Sequence, residues 1–105
     1  MKMIRAIIRP SKEEEVLRAL DKAGFPAMTK MHVFGRGKQR GLQVGPILYD
    51  ELPKLLLMLV VEDPDAEIVV KTIENAARTG NIGDGKIFIS QVSEAYTVRT
   101  GEKTL

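Results

Sequence analysis

Residues 3–24 read MIRAIIRPSKEEEVLRALDKAG, and the pattern changes from that of a strand to that of a helix at Pro10. The stretch before the proline is short, apolar and rich in β-branched side chains, which is typical of a strand. After it, Ser11 and Glu14 have the spacing of a capping box, and apolar residues then recur at helical intervals as far as Gly24. This stretch therefore predicts a strand before Pro10 and a helix that is capped by Ser11 and closed by Gly24.

The rest of the chain continues the alternation of strands and helices. A second strand is predicted over residues 25–34, and after a long interruption a buried strand follows Pro53. A helix is predicted over residues 65–78, then a strand over residues 86–91 and a short extended piece near residues 96–99. The apolar residues expected on the inner side of the second helix are Ile68, Val69, Ile73, Ala76 and Ala77.

The order strand–helix–strand, long loop, strand–helix–strand indicates the fold class. Two such halves that share one sheet, with both helices on the same face, form an α+β ferredoxin-like βαββαβ plait. The other face of the sheet then needs cover, and self-association is the simplest way to provide it. We therefore expect one ferredoxin-like domain over residues 1–105 that assembles into an oligomer.

The composition narrows the classes of function. The 16 basic and 14 acidic residues nearly balance, which argues against a nucleic-acid-binding protein. The chain has no cysteine and a single histidine, His32, so a thiolate or histidine-rich metal site is not expected. No apolar run has the length of a membrane span, and the chain does not begin with a signal-peptide pattern. We expect a cytoplasmic protein without membrane insertion.

The most distinctive motif is GNIGDGKI at residues 80–87. It matches the first part of a P-loop, but Ile87 replaces the Ser or Thr that would bind magnesium, and the segment follows a helix instead of a strand. Gly83 and Gly85 can nevertheless direct backbone amides at one anion, with Lys86 as an adjacent cation. Two interpretations stay open at this point: a phosphate-binding loop, or a helix C-cap followed by a glycine turn.

Other basic residues are also candidates for binding an anion. The segment GRGKQRG at residues 35–41 opens a glycine-rich loop, which we expect to be mobile over residues 36–52 and to have little regular structure. Loops of that length inside a compact domain are usually functional. Lys54 enters an apolar strand, and Arg99 lies near the end of the chain. The alternatives are a solvated loop, a solubilising strand-edge lysine and an ordinary charged tail.

No nucleophile–base set and no carboxylate pair stand out in the sequence, so we do not expect an enzyme. A small ferredoxin-like enzyme of the acylphosphatase type is the alternative from that class. Its reaction would need a positioned arginine and asparagine near the first strand and helix, and the first turn, residues 9–12 (RPSK), has no glycine cradle.

Several segments together resemble the PII family of nitrogen-regulatory proteins along nearly the whole chain. They are residues 1–10 (MKMIRAIIRP), 28–29 (MT), 35–41 (GRGKQRG), 52–54 (LPK), 79–88 (TGNIGDGKIF) and 98–102 (VRTGE). The resemblance implies a trimer that binds ATP or ADP in the clefts between neighbouring subunits. It also implies a phosphate-binding glycine loop at residues 79–86 and a C-terminal loop at residues 97–105.

The same resemblance implies roles for individual residues. Gln39 is similar to the residue that helps to hold Mg²⁺ and 2-oxoglutarate beside ATP. Lys54 is similar to the lysine that pairs with the distal carboxylate of that acid, with Gly83 also in its site. The residues implied for ATP are Met28, Thr29, Gly35, Gly37, Lys38, Gly83, Asp84, Gly85, Lys86 and Arg99. Because Mg²⁺ would bridge the triphosphate and the acid, we expect the acid to bind well only when ATP is present.

Several positions depart from the pattern that is usual in the family, and two of them are expected to contact the nucleotide. Lys38 stands where most members carry arginine, which keeps the charge but loses the planar fork. Thr97 stands where many members carry a second phosphate-binding arginine. Both changes bear on the affinity for the nucleotide.

The long loop and the ending EAYTVRTGEK at residues 94–103 are most similar to the nitrogen-fixation-linked PII proteins of methanogenic archaea. That similarity implies direct control of nitrogenase, relieved by ATP with 2-oxoglutarate, and cooperation with a sister PII subunit. The alternative within the same scaffold is a regulator of an ammonium channel or of a nitrogen-assimilation enzyme.

Overall fold

The computed structural model describes residues 1–38, 42–49 and 51–105. The main sheet has four strands, namely β1 (Lys2–Ile8), β2 (Thr29–Gly35), β5 (Leu52–Val61) and β6 (Gly85–Gln91). Their order across the sheet is β2-β5-β1-β6, and every neighbouring pair is antiparallel. Helix α1 (Glu13–Lys22) connects β1 to β2, and helix α2 (Ala66–Ala77) connects β5 to β6. The chain thus forms the α+β ferredoxin-like plait that the sequence predicts.

The core lies between the sheet and the two helices. Side chains alternate between the two faces along a strand, so one half of β1 and of β5 points at the helices. The fully or almost fully buried residues are Ile4, Ala6, Ile8, Val16, Leu20, Leu55, Leu57, Leu59, Val61, Ala66, Val69, Ile73 and Ala77. In the described part of the chain, neither helix is long and apolar enough to cross a membrane.

The two ends of α1 follow different rules. At its end, Gly24 has a φ of +96°, and the Phe25 amide donates to the Leu20 carbonyl at 2.8 Å, which is the Schellman pattern. At its start, the predicted capping box is wrong, because Ser11 lies inside a short 3₁₀ turn and makes no capping hydrogen bond. Pro10 begins that turn, and its fixed φ suits the first helical position, so helical winding starts before Ser11 can act as a cap.

Helix α2 is preceded by a 3₁₀ turn at Asp63–Asp65 and ends one residue earlier than predicted. The predicted inner stripe is correct for Val69, Ile73 and Ala77, but it is wrong for Ile68, which is 53% exposed. Ala66 is buried instead. The periodicity of a helix fixes which residues share a face, but the position of that face depends on how the helix packs.

Three segments differ from the sequence expectation, namely the start of β2, the long loop and the last residues of the chain. Strand β2 begins at Thr29, later than the predicted residue 25, since Pro26 has no amide hydrogen for the ladder. The long loop contains a hairpin, β3 (Leu42–Val44) and β4 (Ile47–Tyr49), where we expected little regular structure. The predicted mobility of residues 36–52 stays a prediction.

The hairpin has a two-residue turn, Gly45-Pro46. Gly45 has a φ of +58°, and proline holds a negative φ, which together fit a type II′ turn.

The last segment of the chain also differs from the expectation, because residues 98–100 form a turn and not an extended piece. The Thr97 amide donates to the Glu102 carbonyl at 2.9 Å, and the Gly101 amide donates to the Thr97 carbonyl at 2.7 Å.

Substitution of two isoleucines of α2 separates buried from exposed apolar surface. Ile73→Ala should lower the free energy of unfolding by about 2–5 kcal/mol, because it leaves a cavity between α2 and the sheet. Ile68→Ala in the same helix should lower it by less than about 1 kcal/mol. Urea unfolding of both variants measures the difference, and equal losses would contradict the orientation of α2 described here.

A second pair of variants tests the close approach of β6 to β1. A Cβ atom at Gly85 would lie 1.7 Å from the Ile7 carbonyl oxygen, and Gly85 has a φ of +112°. Gly85→Ala should therefore cost at least about 3 kcal/mol of unfolding free energy. Gly101→Ala is the matched control, since Gly101 also has a positive φ but open space around it. It should cost about 1–2 kcal/mol, from the backbone conformation alone.

Candidate functional site

A cleft of about 510 Å³ opens beside the start of β6, between that strand, the end of β2 and the start of β5. Its lining residues are Ile7, Gly35, Arg36, Gly37, Lys38, Leu52, Lys54, Gly83, Gly85, Lys86 and Phe88. Of these lining residues, all from the described part of the chain, four are lysine or arginine and none is acidic. A concave surface lined by charges of one sign concentrates the opposite charge, so this cleft favours an anion.

The pairing of the strands brings the cleft residues together. Lys86 lies opposite Ile7, and Lys54 lies opposite Val33. Both lysines alternate with residues that point at the helices, so they lie on the open face of the sheet. Gly35 pairs with Leu52 at the end of the sheet where the long loop leaves. Segments that are far apart in the sequence therefore meet at one place.

The glycine motif between α2 and β6 is a turn arranged around the Asp84 side chain. One carboxylate oxygen accepts hydrogen bonds from the backbone amides of Thr79, at 2.9 Å, and Gly80, at 2.8 Å. The other accepts from the Thr79 hydroxyl and, at 3.2 Å, from Nε of Arg9. These bonds hold the pKa of Asp84 well below its ordinary value, with the Thr79 hydroxyl as the largest cause. Asp84 lines the cavity beside α2 and does not line the cleft.

Two cations hold the backbone of this turn. Nη2 of Arg9 donates to the Ile82 carbonyl at 2.8 Å, and Nζ of Lys54 donates to the Gly83 carbonyl at 2.6 Å. Partial burial lowers the pKa of Lys54, and the positive charge of Arg9 lowers it further, whereas the Asp84 carboxylate acts in the opposite direction. The partner of Lys54 is a neutral carbonyl, so its charge is available to an incoming anion.

The glycines of the turn fit a close approach of backbone to a ligand. Gly83 and Gly85 both have a positive φ, which other residues rarely adopt. A Cβ at Gly83 would lie 3.2 Å from the Arg9 guanidinium, and a Cβ at Gly85 would collide with the Ile7 backbone. The turn is thus packed against β1 on one side and open to the cleft on the other. This arrangement is suited to a phosphate group that backbone and lysine contact together.

Most of the predicted site residues lie in this cleft, but some do not. Met28 packs against the core next to α1, and Thr29 is at the far end of β2, about 20 Å from Gly35 along a strand of this rise. Arg99 lies in the C-terminal turn and does not line the cleft. Gln39 lies outside the described residues. Within one chain, Met28, Thr29 and Arg99 are therefore not assembled with Lys86.

Sequence reasoning did not single out Arg9, Thr79 or the structural role of Asp84. The signal that was available is the position of Arg9 directly after a predicted strand, at the edge where the glycine motif also leads into a strand. This position predicts the contact between Arg9 and Asp84 only if β1 and β6 are assumed to be antiparallel neighbours, with Ile8 opposite Gly85.

Comparisons with known proteins relate this fold and cleft to a family. Residues 1–102 match the family described as "Nitrogen regulatory protein P-II". The chain is 63% identical over 105 residues to the "Nitrogen fixation nifHD region GlnB-like protein 1" of Methanothermobacter marburgensis, with 100% of both chains covered. A protein of that name from Methanococcus maripaludis is 63% identical over 100 residues, with 95% of each chain covered. The "Nitrogen fixation nifHD1 region GlnB-like protein 1" of Methanosarcina barkeri is 54% identical over the full length of both chains. The chain thus belongs to the nitrogen regulatory protein P-II family, as its motifs indicated.

Proposed function

We propose that this protein is a PII-type sensor of nitrogen status that binds ATP or ADP and 2-oxoglutarate, and that controls nitrogenase by direct contact. The observation that carries the proposal is the cleft beside β6, where four cationic side chains and a glycine turn converge, with no acidic residue among the lining residues that the structure describes. No chemistry by the protein itself is needed for this role, because a regulator only has to bind its ligands and its target.

The nucleotide is assigned to the cleft on the chemistry of its lining. Lys86 and the backbone at Gly83 and Gly85 suit the phosphates, and Arg36 and Lys38 add charge from the start of the long loop. Mg²⁺ would be shared between phosphate oxygens, the acid and Gln39. The described residues contain no cluster of three acidic or histidine side chains that could hold the metal alone, which favours a metal that arrives with the nucleotide.

The acid is assigned to Lys54. This lysine is partly buried at the base of the cleft, and it donates to a neutral carbonyl instead of a carboxylate. A carboxylate from 2-oxoglutarate would offer it a charged acceptor, which forms a stronger hydrogen bond than a carbonyl does. Because Gly83 connects Lys54 to the phosphate turn, the acid and the nucleotide would influence each other's binding.

A trimer would bring together the residues that one chain keeps apart. The open face of the sheet carries exposed apolar side chains, among them Met31 at 53% and Phe88 at 50%, and such a face needs cover. A neighbouring subunit packed there could supply Met28, Thr29 and Arg99 to the cleft next to Lys86. The same oligomer could include a sister PII subunit.

The proposed target follows from the relatives. The names of several relatives place them in a nifHD region, which favours nitrogenase over an ammonium channel or another enzyme as the partner of this chain. Both ends of the long loop line the ligand cleft, at Arg36, Lys38 and Leu52, so a ligand that reorders the loop could release a bound target. A protein that senses these ligands and controls nitrogenase would act in the cytoplasm, and we propose that location for it.

Calorimetric titration of 2-oxoglutarate into the protein, with and without Mg-ATP, tests the sensor. We expect saturable binding that requires Mg-ATP. Lys54→Met should weaken the binding of the acid at least about tenfold, since a charged hydrogen bond contributes ~1.5–3 kcal/mol. Lys71→Met, which removes an exposed lysine of α2, is the matched control and should bind normally. Binding of the acid that is unaffected by Lys54→Met would contradict the assignment of Lys54.

Light scattering after size exclusion tests the assembly. The wild-type protein should have the mass of a trimer, and Met31→Glu should shift it towards the monomer, because it places a charge on the proposed interface. Ile68→Glu is a control with the same 53% exposure on the outer side of α2, and it should leave the trimer intact. A monomeric wild-type protein, or trimers of both variants, would overturn the proposed interface.

A further inference from the structure

A network of hydrogen bonds joins the end of β1 to the glycine turn at residues 79–85. Arg9 contacts this turn at two points, the Asp84 carboxylate through Nε and the Ile82 carbonyl through Nη2. Asp84 in turn holds the backbone amides of Thr79 and Gly80, at the other end of the same turn. Two side chains thus fix both ends of a segment that contains three glycines.

The network is needed because glycine gives the turn no rigidity of its own. Gly80, Gly83 and Gly85 all have a positive φ, and each can adopt many other conformations when nothing holds it. Ordering such a backbone at the moment of binding would cost free energy that weakens the affinity for the ligand. Bonds that already fix the turn remove this cost before the ligand arrives.

The network also determines which way the amides point. In a trans peptide the carbonyl and the following N–H group point in opposite directions. Because Arg9 holds the Ile82 carbonyl, the amide of Gly83 is directed away from Arg9. The Asp84 carboxylate is directed into the turn by its own donors, which keeps a negative charge out of the cleft lining. The amides of Thr79, Gly80, Asn81 and Asp84 are already bonded inside the turn. The turn thereby leaves the Gly83 amide and Lys86 for an anion, and the side chain of Asp84 stays out of the cleft lining.

Neither Arg9 nor Asp84 lines the cleft. Nε and Nη2 of Arg9 and both carboxylate oxygens of Asp84 are already hydrogen-bonded within the turn. We propose that Arg9 and Asp84 are positioning residues, which set the turn at residues 79–85 in the conformation that receives the nucleotide phosphates without contacting them through their side chains. The proposal rests on the proposed function, and it replaces a direct side-chain contact of Asp84 with ATP by an indirect role.

Calorimetry of Mg-ATP binding to Arg9→Met, Asp84→Asn and the double variant tests the proposal. Each single substitution should weaken binding about tenfold, the scale expected when a charged hydrogen bond that orders a binding loop is lost. The double variant should lose no more affinity for Mg-ATP than the single variant that binds it less tightly, because both changes break one network. Hydrogen exchange of the Thr79 and Gly80 amides should become faster in all three variants.

Two controls separate positioning from loss of stability. Arg18→Met removes an arginine that also bonds a carboxylate, at 2.7 Å, but on the surface of α1, and it should leave Mg-ATP binding unchanged. Val16→Ala creates a cavity in the core away from the turn, and it should lower the unfolding midpoint at least as much as Asp84→Asn does while retaining the affinity.

The outcomes distinguish this inference from the proposed function. If the wild-type protein binds Mg-ATP and the Arg9 and Asp84 variants bind it equally well, the positioning role is wrong and the sensor proposal stands. If Val16→Ala loses affinity in proportion to its stability, the effect of Asp84→Asn is general destabilisation, and the positioning role is again wrong. If the wild-type protein binds no Mg-ATP, both proposals are overturned.

Discussion

The contact between Gly85 and the backbone of Ile7 constrains the whole region around the cleft. Only a residue without a side chain can stand there, because a Cβ atom would overlap the Ile7 carbonyl. That approach fixes where β6 enters the sheet, with Gly85 opposite Ile8 and Lys86 opposite Ile7. A shift of one residue would turn Lys86 from the open face of the sheet to the helix face. The face of the sheet on which Lys86 lies, and so its contribution of positive charge to the cleft, therefore depends on Gly85.

The charged side chains of this region differ in how far their charge is compensated within the protein. In the turn behind the cleft, Asp84 is surrounded by donors, so its charge is compensated inside the protein. In the cleft itself, Lys54 has a carbonyl as its partner, and none of the lining residues among 1–38, 42–49 and 51–105 is acidic. Partial burial and the positive charge of Arg9 lower the pKa of Lys54, and a carboxylate bound beside it would raise that pKa again. A surplus of positive charge beside the glycine turn would be the physical basis for the joint binding of a polyphosphate and an organic acid that we propose.

The open face of the sheet has a consequence for the site as well as for assembly. The helices cover one face of a four-stranded sheet, and apolar side chains such as Met31 remain exposed on the other. Thr29, at the far end of β2, and Arg99, in the C-terminal turn, do not line the cleft of their own chain. If a second subunit covers the open face, as we propose, the nucleotide would bind only to the oligomer. Ligand binding and assembly would then stabilise each other.

The sequence by itself determined the order of elements, the glycine motif and most of the basic residues of the cleft. Strand and helix periodicity, Pro10 and Gly24 are local signals, and they predicted the plait correctly. Local signals also failed in instructive places: Pro10 started the helical winding ahead of Ser11, packing rotated Ile68 outward, and a hairpin formed within the glycine-rich loop.

Only the tertiary structure decided how the cleft is built. Arg9 and Asp84 are 75 positions apart, and Lys54 is 29 positions from Gly83, so no pattern along the chain connects them. Their contacts depend on β1 being the neighbour of both β5 and β6, which is a property of the sheet order. A periodic pattern records which residues face the core, because burial repeats along each element. A hydrogen bond between two elements leaves no such repeat, and it becomes visible only when the strands are paired.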